Sequence, residues 1–146
     1  RDILGELLTP QEKDQEFHQL TGYEKIEVEL TELIHRLLKN PEKVRFLDEF
    51  DQLFTDCYPE SREAEEYVEY VKNKDSLIYN YLLEGLNDKS IRSIEDPMKE
   101  ADVILNILLG LAQRIIPRAN HYLEEHGFYL EYLEEAVQMI LISVKR

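Results

Sequence analysis

Tryptophan is absent from this chain, cysteine occurs once, and glycine and proline number five each. The single Cys57 excludes an internal disulfide and fits a reducing compartment. Beside Tyr58 at a helix end it is expected to be a small buried hydrophobe, with a reactive thiol as the alternative. Scarce glycine and proline exclude collagen-like and low-complexity chains. No apolar run approaches the roughly 18 to 20 residues that cross a bilayer, and no signal-peptide pattern opens the sequence. A cytoplasmic protein with no membrane partner is therefore expected. Basic residues are outnumbered, 17 Lys and Arg against 31 Asp and Glu, for a net charge of -14. A phosphate-binding surface needs the opposite sign, so these residues alone are not expected to bind DNA. The acidity reads as a solvated surface that keeps the domain soluble.

Signals of chemistry are equally scarce. There is no P-loop, no dinucleotide glycine fingerprint and no Cys-x-x-Cys. One Glu-x-x-His occurs, Glu32 to His35, but a di-iron bundle needs two such motifs and two further inward carboxylates. His121 and His126 are five residues apart, poor spacing for two ligands on one helical face. No Ser or Cys has an evident base partner, and His18 reads either as a polar contact in a pocket or as an exposed residue. No catalytic residue, metal or cofactor is expected, and the chain does not read as an enzyme.

What is present is helix-friendly: 43% hydrophobic and 33% charged residues in a 146-residue chain long enough for one domain with a core. The spacing predicts an all-α domain of six helices. The first, Asp2 to about Gln19, is either one helix broken near Pro10 or a short helix and a loop. The second opens on Thr21-Gly22-Tyr23-Glu24, a capping box, with Ile26, Leu30, Leu33, Ile34 and Leu37 at helical spacing. Asn40-Pro41-Glu42 ends it and caps the third, whose apolar face is Val44, Leu47, Phe50, Leu53 and Phe54. Tyr58-Pro59 stops that helix, and Ser61 caps a fourth that runs through Tyr67 and Tyr81 to Glu84-Gly85. Asp96-Pro97 opens the fifth, with Asp as N-cap and Pro at the first helical position. Pro117 predicts a bend after Gln113, and His126-Gly127 a C-terminal stop. The sixth runs from Phe128 to about Lys145.

The fifth helix is the outlier, because Val103 to Leu105 and Ile107 to Ala112 leave almost no polar face. A helix apolar all round must be covered all round. Met139 and Ile142 similarly widen the apolar stripe of the sixth helix. In a small domain this excess argues for a partner subunit.

The stretch from Tyr81 to Arg114 carries a resemblance. A helix closing on Glu84-Gly85, the bridge Ser90-Ile91-Arg92, and Asp96-Pro97 opening a long apolar helix resemble the regulatory half of the TetR/AcrR family of transcription regulators. Those proteins place a "G-x-I-R…D-P" link before the helix that builds much of their dimer interface. Here Asp88-Lys89-Ser90 stands where the family usually has glycine. The resemblance covers Thr21 to Arg146 and is strongest over Pro41–Phe54 and Tyr81–Arg114.

The resemblance implies a ligand-responsive regulator whose DNA-binding helix-turn-helix lies upstream of Arg1, so that DNA is a partner only through that missing N-terminal domain. It implies a homodimer in which the last two helices form a four-helix bundle with those of a second subunit. The dimer surface would be Leu105, Leu108, Leu109, Ala112 and Ile116, with Leu133, Val137, Ile140, Leu141 and Val144. A small hydrophobic or aromatic effector would sit among Ile26, Leu30, Phe50, Phe54, Tyr67, Tyr70, Tyr81 and Arg114. Each of these aromatics can equally be core packing; clustered Tyr hydroxyls, which need partners when buried, are what favours a cavity. The alternative is a helical protein–protein interaction or scaffolding domain without a ligand.

Overall fold

The computed structural model describes residues 6–7, 12–73, 77–127 and 130–146, with the side chains at 63, 67, 70–73 and 130 also outside the described set. Pro10 and the start of the first predicted helix lie outside these residues. Among the described residues the structure is all-α. A short α1 (Gln15–His18) precedes α2 (Gly22–Lys39), α3 (Pro41–Leu53), α4 (Arg62–Asn73), α5 (Leu77–Asp88) and α6 (Pro97–Ile115). A 3-10 turn (Ile116–Arg118), α7 (Ala119–His126) and α8 (Leu130–Val144) complete it. Helix α2 packs on α5 and α8, and α6 closes the ring by packing on both α5 and α8. The result is a four-helix bundle within one chain, with α3 laid against α6 and the 3-10 turn.

Local chemistry sets most boundaries. Thr21 Oγ1 accepts from the Glu24 N–H while the Glu24 carboxylate accepts from the Thr21 N–H, the reciprocal cap that its sequence predicts. The other two first-turn donors of α2 find acceptors on the link after α5. The Gly22 N–H donates to Asp88 Oδ2 at 2.9 Å and the Tyr23 N–H to Ser90 Oγ at 3.0 Å. Asp88 and Ser90 thus satisfy donors that a helix start leaves open. Lys89 between them takes the left-handed conformation, φ 66°, that glycine would adopt freely.

The same link fastens the end of the bundle. Ile91 is buried, and its N–H donates to the Gly85 carbonyl. The Arg92 N–H donates to the Val144 carbonyl at 3.0 Å, its Nε to the Ser143 carbonyl, and its Nη2 to Glu100 at 2.7 Å. Arg92 therefore caps the last turn of α8 and ties it to the first turn of α6. Asp96 caps α6 through the Lys99 N–H and Ser61 caps α4 through the Ala64 N–H.

The fourth predicted helix covers α4 and α5, and positions 74–76 between them lie outside the described residues. Three expectations are corrected. Gly85 does not end its helix: α5 continues to Asp88, and Gly85 is buried mid-helix where Gly22 crosses it. Asn40 makes no side-chain cap on α3; its amide donates instead to the Arg36 carbonyl and finishes α2. Cys57 is exposed, not buried, because α3 ends at Leu53 and leaves it on the connection to α4.

Pro117 does more than bend its helix. The α-helix stops at Ile115 and a 3-10 turn follows. Proline has no N–H for the carbonyl four residues back. Arg118 Nη1 donates to that Gln113 carbonyl at 3.0 Å, and Nη2 reaches Asp48 on α3 at 3.3 Å. Gly127, φ 79°, closes α7 with its N–H on the Leu123 carbonyl.

Candidate functional site

The residues expected to line an effector cavity fall into separate groups. Ile26 and Leu30 on α2 and Tyr81 on α5 belong to the bundle core. Phe50 and Phe54, half-buried at the end of α3, pack ring to ring at 4.9 Å, and Phe46 and Tyr58 extend the row at 6.3 and 5.8 Å from Phe50. Tyr67 and Tyr70 lie on α4, with their side chains outside the described residues. Arg114 is exposed at the end of α6, its guanidinium 6.0 Å from the Tyr122 ring centroid on α7.

The ten residues expected at a dimer surface are placed mostly inside the chain's own bundle. Leu108, Ala112, Ile116, Leu133, Val137, Ile140, Leu141 and Val144 are buried, and Leu105 and Leu109 are half-buried against the same core. Their apolar surface is already covered by α2, α3 and α5. The apolar surface left over on the same two helices is different. Val103 is 48% and Ile107 45% exposed on α6, and Met139 is 63% and Ile142 72% exposed on α8. Gly110 lies on the same side of α6, since residues 103, 107, 110 and 114 share a face at 3.6 residues per turn. A Cβ on Gly110 would meet nothing within 4 Å among the described residues.

A charged cluster that the sequence reading did not single out lies beside Tyr81. Lys25, Glu29, Glu32 and Arg36 recur on α2 at spacings of four, three and four, a single stripe next to the apolar face. Lys25 and Glu29 are only 7% and 4% exposed. Glu29 accepts from Arg36 Nη2 at 3.1 Å, Glu32 pairs with Lys13, and Lys25 pairs with Glu84 on α5. The Arg36 Nε donates to the Leu7 carbonyl at 2.8 Å. Phe17 packs edge-on against Tyr81 at 5.7 Å, with the Lys13 and Lys25 ammonium groups 5.3 and 5.6 Å from its centroid.

Titration follows from this packing. Burial pushes the Glu29 carboxyl up; Arg36 and Lys13 oppose this, and Glu32 reinforces it. Burial also raises the Tyr81 phenol, aided by the charges of Glu29, Glu84 and Glu32. Asp88 behaves oppositely. Its slight desolvation raises it, but hydrogen bonds from the Ser90 hydroxyl and the Gly22 and Ser90 N–H groups, with the charge of Lys25, hold it below the ordinary carboxylate range. Glu32 of the Glu-x-x-His motif is engaged with Lys13 and Arg36. Among the described residues no three His, Cys, Asp or Glu side chains converge as a metal site requires, and no helix is long and apolar enough to cross a membrane.

No protein-family model matches the chain, and neither a curated protein nor a solved structure matches it.

Proposed function

We propose that this chain is the effector-responsive and dimerising part of a TetR-type transcription regulator, acting on DNA through a helix-turn-helix upstream. The observation that carries the reading is the uncovered apolar face on α6 and α8: Val103, Ile107, Met139 and Ile142 stand exposed on the two helices where the resemblance expects a subunit contact. Gly110 supports it. A glycine inside a helix costs about 0.5–1 kcal/mol relative to alanine, and none of the described residues occupies the space beside it. Close approach of a partner backbone would give it a purpose.

The interface in this reading lies one helical face away from the residues that the resemblance alone suggests. Effector binding near the aromatic row of Phe46, Phe50, Phe54 and Tyr58 would then shift the population between two subunit arrangements. Only one of them would space the DNA-reading heads for half-sites about one helical turn apart. An effector with equal affinity for both arrangements would change nothing.

Sedimentation velocity at micromolar concentration tests the core of the reading. A dimer that Ile107→Glu and Ile142→Glu each convert into folded monomer supports it, since an unpaired buried charge at an interface is costly. A monomeric parent protein, or a dimer indifferent to both changes, sinks it. Thermal-shift screening with aromatic cations then separates a regulator from a scaffold, because a ligand of the native state raises the melting temperature by mass action.

A further inference from the structure

We infer that the outward side of α3 is a docking surface for a basic amphipathic helix of another protein. The inference does not rest on the regulator reading. Val44 and Leu47 are the buried residues of α3. At about 100° per residue, Glu42, Phe46, Glu49 and Leu53 fall on the side opposite Val44, within about 60° of one another. All four are exposed, Phe46 at 48% and Leu53 at 76%. Their spacing of four, three and four is the seam that one helix presents to another. The ridge is held in place from behind. Helix α3 packs on α6 and on the 3-10 turn, and Asp48 pairs with Arg118 of that turn.

Shape and charge choose the occupant. A small molecule is held in a concavity that covers most of its surface. A leucine 76% exposed on the outer side of a helix projects; it does not wall a cavity. Glu42 and Glu49 alternate with Phe46 and Leu53 in the seam itself. Asp51, Asp56 and Glu60 are exposed around it, against Arg45 as the exposed cation of positions 42–60. A nucleic acid or an anionic bilayer has the wrong sign for such a surface. A second copy would set glutamate against a surface of the same sign, in a chain of net charge -14. A helix bearing an apolar stripe and Lys or Arg beside it satisfies both halves of the seam. Its apolar side chains pack against Phe46 and Leu53, and its cationic side chains lay their stems on the same residues while their heads reach the two carboxylates.

The chain has no tryptophan, so a peptide carrying one reports binding through its own fluorescence. The probe is a peptide of about 18 residues built from leucine, lysine and one tryptophan, with its leucines at helical spacing. The expected result is binding to the full chain at micromolar concentration. Phe46→Ser and Leu53→Ser should each weaken it about tenfold, and Glu42→Gln with Glu49→Gln should weaken it by a similar factor. Both ridge side chains are exposed, so the far-UV circular dichroism of these variants should match the parent's. Leu123→Ser, which alters an exposed leucine on α7, is the control and should leave binding unchanged. The docking surface is overturned if the peptide does not bind, or if it binds each ridge variant as it binds the parent. It is overturned as well if a scrambled peptide of the same composition, or one with glutamate in place of lysine, binds equally, because the paired apolar and charged match is then not what is recognised. Loss of self-association on Leu53→Ser in sedimentation velocity would assign the ridge to a second copy and reject the basic helix.

Discussion

Where α2 crosses α5, two glycines set backbone against backbone, and a Cβ on Gly22 would lie 2.1 Å from the Gly85 nitrogen. On the outward side of α6, a Cβ on Gly110 would meet nothing within 4 Å among the described residues. The same residue type thus serves two purposes. At the crossing, glycine is a steric requirement of this chain's own fold. At Gly110 the fold imposes no such requirement, and the helix carries a propensity penalty without an internal return. The contrast extends to the neighbours: Asp88 and Ser90 accept from the Gly22 and Tyr23 N–H groups at the crossing, whereas exposed Val103 and Ile107 flank Gly110 with apolar surface.

The contrast can be broken by substitution. Gly22→Ala should have the largest effect, a loss upward of about 3 kcal/mol in urea unfolding, because main chain cannot swing aside as a side chain can. A loss below about 1 kcal/mol would show that the crossing yields. Leu108→Ala should cost about 2–4 kcal/mol as a cavity in the bundle, while Ile107→Ala, one residue away, should change the stability of the monomer by less than about 0.5 kcal/mol. Equal losses would erase the distinction between the two faces of α6. Gly110→Ala should stabilise the isolated chain by about 0.5–1 kcal/mol and weaken any self-association; stabilisation with association intact would remove glycine from the interface argument.

The smallest effect concerns acid. The Glu29 carboxyl is raised in the fold, so its contribution favours the native state below the ordinary glutamate range and is lost as pH rises through the raised value. Asp88 is lowered, so its contribution is present above the ordinary aspartate range and is lost as pH falls through the lowered value. Glu29→Gln should therefore melt at or above the parent temperature at neutral pH, with the difference shrinking towards pH 4.5. Arg36 keeps the Leu7 carbonyl and Glu32 as partners in that variant. A variant that melts lower at neutral pH and equally in acid would reverse the sign assigned to Glu29.

Helix starts and stops were legible where a few adjacent residues decide them: the Thr21 box, the Asp96 cap and the Gly127 terminator each act within one turn. The orientation of α6 and α8 was not. Both helices carry apolar residues on more than one side, and periodicity cannot say which side the chain keeps for itself. The resemblance suggested the buried set, Leu108 and Val137 among them, while the exposed set includes Ile107 and Ile142. Gly85 misled because a glycine near a helix end reads as a terminator unless the helix crossing it is known. The stripe from Lys25 to Arg36 was invisible for the reverse reason. Charged residues at helical spacing read as a solvated face, and only the placement of Leu7, Lys13 and Phe17 over them shows that they are partly covered. Of the candidate site, the aromatic row of Phe50 and Phe54 was legible as a cluster; its separation from Ile26, Leu30 and Arg114 depends on tertiary packing that no local pattern encodes.

The fastening of α8 by Arg92 has a consequence for how this bundle is made. Arg92 holds carbonyls that appear only with Ser143 and Val144, and α8 supplies Leu133, Val137, Leu141 and Val144 as the fourth wall of the bundle. Until the ribosome has released those residues, α2, α5 and α6 have three sides of a core and nothing to close it. Until α8 has emerged the apolar interior of the bundle stays open, the interval in which a chaperone would matter most.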